Sequence, residues 1–157
     1  NNMGYKTYSK YWNIKIAKKI KRDNGEVDLI YSANTLSHIE NIDSVLKSIV
    51  YILSKDGILV IEDPSLLECL KKVSYDQFYN EHIYVFSLLS IVNLIKKYNL
   101  EVFNIEKLST HGGSLRYYIK KTSNKKFKVS RNVGFQLNRE TKFGVNAYST
   151  YVNFRTK

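Results

Sequence analysis

The sequence is poor in the residues that build cross-links and membrane anchors. It has a single cysteine, Cys69, in 157 residues. One thiol closes no internal disulfide and builds no zinc site by itself. No apolar run approaches the ~18–20 residues that span a bilayer. The opening NNMGYKTYSK lacks the apolar stretch of a signal peptide. There is no internal repeat, no aromatic-interleaved RNA motif and no zinc-finger spacing. These absences argue against a disulfide scaffold, a helical membrane protein and the common nucleic-acid modules. The expectation is a soluble cytoplasmic protein with no metal site.

What remains is a chain of ordinary globular composition, 43% hydrophobic and 25% charged, long enough for one domain with a real core. The formal charge is +11. Excess positive charge favours polyanions and phosphorylated ligands. Here it is dispersed over Lys18, Lys19, Lys21 and Arg22, the pairs Lys71/Lys72 and Lys96/Lys97, and a cluster over 120–128, a pattern of solvated faces.

Periodicity predicts alternating elements. Trp12, Ile16 and Ile20 recur every fourth residue and predict a helix over 11–21. VDLIYSA, ending at Ala33, reads as a buried strand. Asp43 is expected to cap a helix that presents Val45, Leu46, Ile49, Val50 and Leu53, with Lys55-Asp56-Gly57 ending it. ILVI over 58–61 is a second buried strand, stopped at Glu62-Asp63-Pro64 by the proline. A helix over 87–98 and strands over 100–108 and 114–121 follow. Alternation of this kind predicts an α/β fold with a largely parallel sheet, whose ligands bind beyond the carboxyl ends of the strands. The region after 122 is polar and weakly periodic.

All three histidines fall at strand ends or in loop-like segments. His38 lies four residues beyond Asn34, His111 precedes Gly112-Gly113, and His82 closes YDQFYNEH. That last segment has no clean period, yet it concentrates tyrosine, carboxylate and imidazole. Imidazole is the side chain best suited to moving protons near neutrality. Taken from the residues alone, Tyr75 and Phe78 could be core, Glu81 could pair with a surface lysine, and the glycine pair could be only a turn.

In this order, ANTLSHI, DGILVIEDP, SYDQFYNEHIYVFSLLSI and LEVFNIEKLSTHGGSLRYYI resemble the SAM-dependent C-methyltransferases of nucleotide-linked hexoses, over about residues 4–121. The resemblance implies a class I SAM-methyltransferase (Rossmann-like) α/β sheet, of which residues 1–121 are the second half, with 122–157 the start of a C-terminal lobe. It implies S-adenosyl-L-methionine as cofactor, bound by Ala33, Asn34 and Glu62. His82 matches the general base, Tyr79 and Glu81 the residues that place substrate and tune that base, and His38 a support of the active site. His111, Gly113 and Arg116 match a substrate-side turn. The implied reaction removes the C3 proton of a 4-keto nucleotide sugar and methylates the enolate carbon. The family's cysteine-rich zinc module, Gly-rich cofactor turn and ribose-binding acid have no counterpart here. The expectation is therefore a fragment, prone to aggregate through exposed apolar edges, with a companion chain supplying the other half of the cofactor site. An inactive remnant, or a methyltransferase of the same fold acting on another substrate, are the alternatives.

Overall fold

The computed structural model describes residues 4–154, so the first three and last three residues of the two expected regions lie outside it. Helix α1 spans Ile14–Asn24. It starts later than its apolar period suggests because the Asn13 side chain accepts from the Lys15 and Ile16 N–H groups and fixes the first turn there. Strand β1, Val27–Ala33, occupies the expected residues but is not the buried strand expected: it is an edge strand with no buried residue. Helix α2, Ile42–Ile52, is capped by Asn41, which accepts from Ser44 N at 3.0 Å. Asp43, the expected cap, instead lies in the first turn and pairs with Lys47 and Lys97.

Strand β2 runs over Leu53–Pro64 and absorbs Lys55-Asp56-Gly57, which the sequence suggests as a helix end. An irregularity in its pairing with β1 accommodates these residues, the register passing from Val27↔Leu53 to Leu29↔Ile58. A further short helix, α3 (Leu66–Lys72), follows the proline. Helix α4 is Leu88–Lys96, with Ser87 closing a capping box with Ser90. Strands β3 (Leu100–Leu108) and β4 (Ser114–Lys121) match expectation. The polar region beyond 122 forms two helices, α5 (Arg131–Phe143) and α6 (Tyr148–Phe154).

The sheet order is β1-β2-β4-β3. Only β1 and β2 are parallel; β4 runs antiparallel to both β2 and β3. The expectation of a largely parallel sheet is therefore corrected. The short turn between β3 and β4 reverses the chain, and a tight reversal can only join antiparallel strands.

One face of this sheet carries Leu59, Ile61, Leu115, Tyr117 and Ile119. Against it pack Val45, Leu46 and Ile49 of α2, Leu88, Ile91 and Ile95 of α4, and Val133 of α5. Each fully buried aliphatic side chain contributes roughly 1.5–3 kcal/mol of transfer free energy, so this layer is the main source of stability. The alternate residues make the other face. There Leu29 and Tyr31 on edge strand β1 are 58% and 57% exposed. Such an edge favours pairing with other chains.

Candidate active site

The carboxyl ends of β1 and β2 deliver the candidate residues. Asn34 leaves β1 in the left-handed region at φ 49°, a conformation its short polar side chain tolerates. Its N–H continues the ladder to Glu62 O at 2.7 Å. Leu36–His38 then makes one 3-10 turn. A second turn, Tyr75–Gln77, opens the segment that ends in His82. Three hydrogen bonds clip the two loops together: Tyr84 N to Ser37 O, Tyr84 Oη to Glu40 O, and His38 Nδ1 to Glu81 O at 2.9 Å. Residues far apart in sequence thereby form one cluster. The His38 and His82 ring centres are 4.8 Å apart, and Tyr79 and His82 are 4.1 Å apart.

The hydrogen bonds define the imidazoles chemically. His82 Nδ1 faces the Gln77 carbonyl at 2.8 Å. A carbonyl only accepts, so Nδ1 carries the proton and Nε2 holds the lone pair of the neutral ring. Nε2 accepts from the Tyr79 hydroxyl at 3.0 Å. The same reasoning places the proton of neutral His38 on Nδ1. Main-chain carbonyls of Gln77 and Glu81 thus fix both tautomers. The Glu81 carboxylate, which the sequence suggests for that task, is exposed. Tyr75 and Phe78 are half-exposed and pack against Phe154 of α6, whose carbonyl accepts from Tyr75 Oη. They mount the loop on the C-terminal helix instead of filling the core.

Other candidates lie apart from the imidazoles. Glu62 and Arg116, expected to serve cofactor and substrate respectively, form one ion pair at 3.0 Å. It belongs to a polar ladder across all four strands: Tyr31 Oη donates to Glu62, Arg116 bridges Glu62 and Glu106, and Tyr118 Oη donates to Glu106. Gly112 and Gly113 have φ of 76° and 130°, so the turn needs glycine. Gly113 O accepts from Ser65 N, and the Lys72 ammonium reaches Gly112 O, so this turn rests on the start and end of α3. His111 is exposed beside it. Gly113, Lys72 and Lys107 line a cavity of about 230 Å³. Ala33 lines another, of about 360 Å³, with Trp12, Ile30, Leu36 and Ile39.

Asp63 was not among the expected site residues. Alternation puts it on the apolar face of β2, after Leu59 and Ile61, and that was the signal available. It is fully buried. Burial, the largest influence, pushes its acid up to about 6, with Ser37 and the charges of His38 and His82 acting in the opposite sense. Burial likewise raises the Cys69 thiol to about 11, which leaves it protonated and a poor nucleophile at neutrality. Among the described residues no cluster of three or more His, Cys, Asp or Glu side chains could hold a metal ion, and no helix is long and apolar enough to cross a membrane.

Comparison with known proteins agrees with this architecture. Residues 7–105 match a methyltransferase domain family, and residues 109–157 match a C-methyltransferase C-terminal domain. The chain is 30% identical over 115 residues to C-methyltransferase NovU of Streptomyces niveus, covering 73% of this chain and 27% of that protein. It therefore spans about a quarter of the length of that relative. Among solved structures, a SAM-dependent methyltransferase from Anabaena variabilis superposes with a TM-score of 0.50 at 14% identity, covering 69% of this chain and 55% of that one.

Proposed function

Since this chain belongs to the SAM-dependent C-methyltransferase family, we propose that it is the catalytic half of an enzyme that methylates carbon, at C3 of a 4-keto nucleotide-linked deoxysugar. The observation that carries this reading is the Tyr79–His82–His38 cluster, in which a neutral imidazole presents its lone pair at Nε2. Transfer to oxygen or nitrogen starts from an atom that already has a lone pair. Transfer to carbon needs a base first, and a ketone at C4 makes the C3 proton acidic enough for imidazole to take.

His82 receives that proton at Nε2, with the Tyr79 hydroxyl displaced toward the developing enolate oxygen, where it donates. Gln77 O holds the ring in the required tautomer throughout. His38 lies against the same ring, and Glu81 anchors it through its carbonyl. S-adenosyl-L-methionine, when bound, supplies an electrophilic sulfonium methyl. The cavity beyond β1 fits the flat part of this cofactor: its walls are mostly apolar, and the buried indole N–H of Trp12 has no hydrogen-bond partner among the described residues. Ala33, Asn34 and Glu62 would hold this side of it, and a companion chain or further sequence the phosphate-free ribose side. His111, Gly113 and Arg116 are assigned to substrate, with Lys72 and Lys107 suited to its diphosphate. In domain terms, 1–121 completes the cofactor domain and 122–157 begins the C-terminal lobe. The cytoplasm is the proposed location.

The test is calorimetric titration with S-adenosyl-L-methionine, followed by incubation with the ¹³C-methyl cofactor and a 4-keto nucleotide sugar. A new carbon-bound methyl resonance is the expected result. An oxygen-bound methyl, or micromolar cofactor binding with no transfer to any keto-sugar, contradicts the proposed substrate. No binding even at millimolar cofactor contradicts independent function of this chain and favours the remnant.

A further inference from the structure

Beside His82, lining the same small cavity, lies a buried carboxylate that the proposed reaction does not use. Asp63 is 0% exposed, and neither carboxylate oxygen makes a hydrogen bond of full geometry among the described residues, the Ser37 hydroxyl and N–H being the donors near enough to lower its acid. Asp63, Ser37, His82, Tyr84 and Phe86 line one small cavity that has no room for a water molecule. A carboxylate left without water or a cationic partner in full hydrogen-bond geometry is costly, by several kcal/mol in principle. A fold relieves that cost by replacing the acid, pairing it or protonating it. Here the side chain stands at the end of β2, on the same sheet face as Leu59 and Ile61, where an apolar residue would pack without penalty.

We propose that Asp63 is a positioning residue, a buried carboxylate that stabilises the positive charge appearing on the His38/His82 pair when one of them accepts a proton. This rests on the imidazole cluster being the base. During proton abstraction the C3–H bond breaks, its electron pair stays on the sugar as the enolate, and the proton passes to His82. Asp63 itself remains ionised and balances the imidazolium. The charges of His38 and His82 act on Asp63 to lower its proton affinity. An ionised carboxylate and an imidazolium in this dry setting attract one another by Coulomb's law. The other ionisable group coupled to it is Tyr117 on β4, itself fully buried and held well above the usual phenol range by burial. Ser37 is the adjacent donor: its hydroxyl and N–H lower the Asp63 acid, although its buried Oγ makes no hydrogen bond of full geometry among the described residues. Glu62 and Arg116 belong to the opposite face of the sheet. Among the described residues, His38 and His82 are cationic side chains that act on Asp63.

The experiment is an NMR titration of the imidazole Cε1–H resonances in the unliganded chain, wild type against Asp63→Asn. It needs neither cofactor nor sugar, so its failure is separate from any failure of methyl transfer. The expected result is a fall of about half a pH unit or more in the His82 or His38 midpoint, with the urea midpoint of unfolding unchanged or raised. Superimposable titration curves in a folded variant would overturn the proposal. If Asp63→Asn does not fold, the ¹³C-carboxyl resonance of Asp63 in the wild-type chain decides instead. A second inflection tracking the imidazoles supports the coupling, and a single isolated step refutes it.

Discussion

The imidazole cluster and the Glu62–Arg116–Glu106 ladder sit at the same end of one sheet, yet they are built in opposite ways. The ladder is fixed by register: Glu62 opposes Arg116, and Arg116 opposes Glu106, in strand pairs that admit no slip without turning every side chain over. The cluster is fixed by main-chain carbonyls of irregular segments, Gln77 O and Glu81 O, and by loop-to-loop hydrogen bonds. Strand-mounted charges are held by their neighbours' geometry and are satisfied at rest. Loop-mounted imidazoles keep a basic nitrogen held only by the Tyr79 hydroxyl, which a substrate can displace, and depend on distant elements to stay in place.

That dependence gives the largest expected effect. The loop bearing His82 runs into α4, and the first N–H groups of that helix, at Leu88 and Leu89, donate to the fully buried Glu140 of α5 at 3.0 and 2.9 Å. Gln136 donates to the same carboxylate. Glu140→Ala leaves these donors buried and unpaired, so urea unfolding should show a loss of about 2–4 kcal/mol. Hydrogen exchange of residues 75–87 should quicken. A loss below about 1 kcal/mol would mean that the loop is mounted elsewhere.

Next in size is a pH effect on the cluster side. Folded Asp63 holds its proton up to about pH 6, whereas in the unfolded chain it titrates near the ordinary value. Between about pH 4 and 6 the native state binds the extra proton, so stability falls as pH rises through that window, by about 2 kcal/mol. Urea titrations at several pH values should show this slope in the wild type and its absence in Asp63→Asn. An equal slope in both would place the proton on another group.

The smallest effect belongs to the ladder. Arg116→Met removes an ion pair whose arginine side chain is 31% exposed. The expected cost is about 0.5–1 kcal/mol, with no movement of the His38 and His82 resonances. Movement of those resonances would show that the two regions are one unit.

The difference in construction also governs how much could be read from the sequence. β1, β3 and β4 were legible to the residue because strand patterns are local. The direction of β4 was not, since it depends on a turn whose length the glycines hide. His38, Tyr79 and His82 were identifiable as residue types in a familiar order, but their meeting relies on carbonyls, which every residue carries. Asp63 was hidden within Glu-Asp-Pro until alternation was followed to the end of the strand. Helix α5 escaped because its buried face includes Gln136 and Glu140, polar residues whose partners are on another helix.

The proposed reaction requires His82 as the base, and abstraction can be observed without methyl transfer. The measurement is deuterium wash-in at C3 of a 4-keto nucleotide sugar in heavy water, followed by proton NMR with wild type and His82→Asn. With His82 as the base, exchange is catalysed by the wild-type chain and slowed about 10²-fold or more in the variant. Equal exchange rates in the two proteins would contradict it.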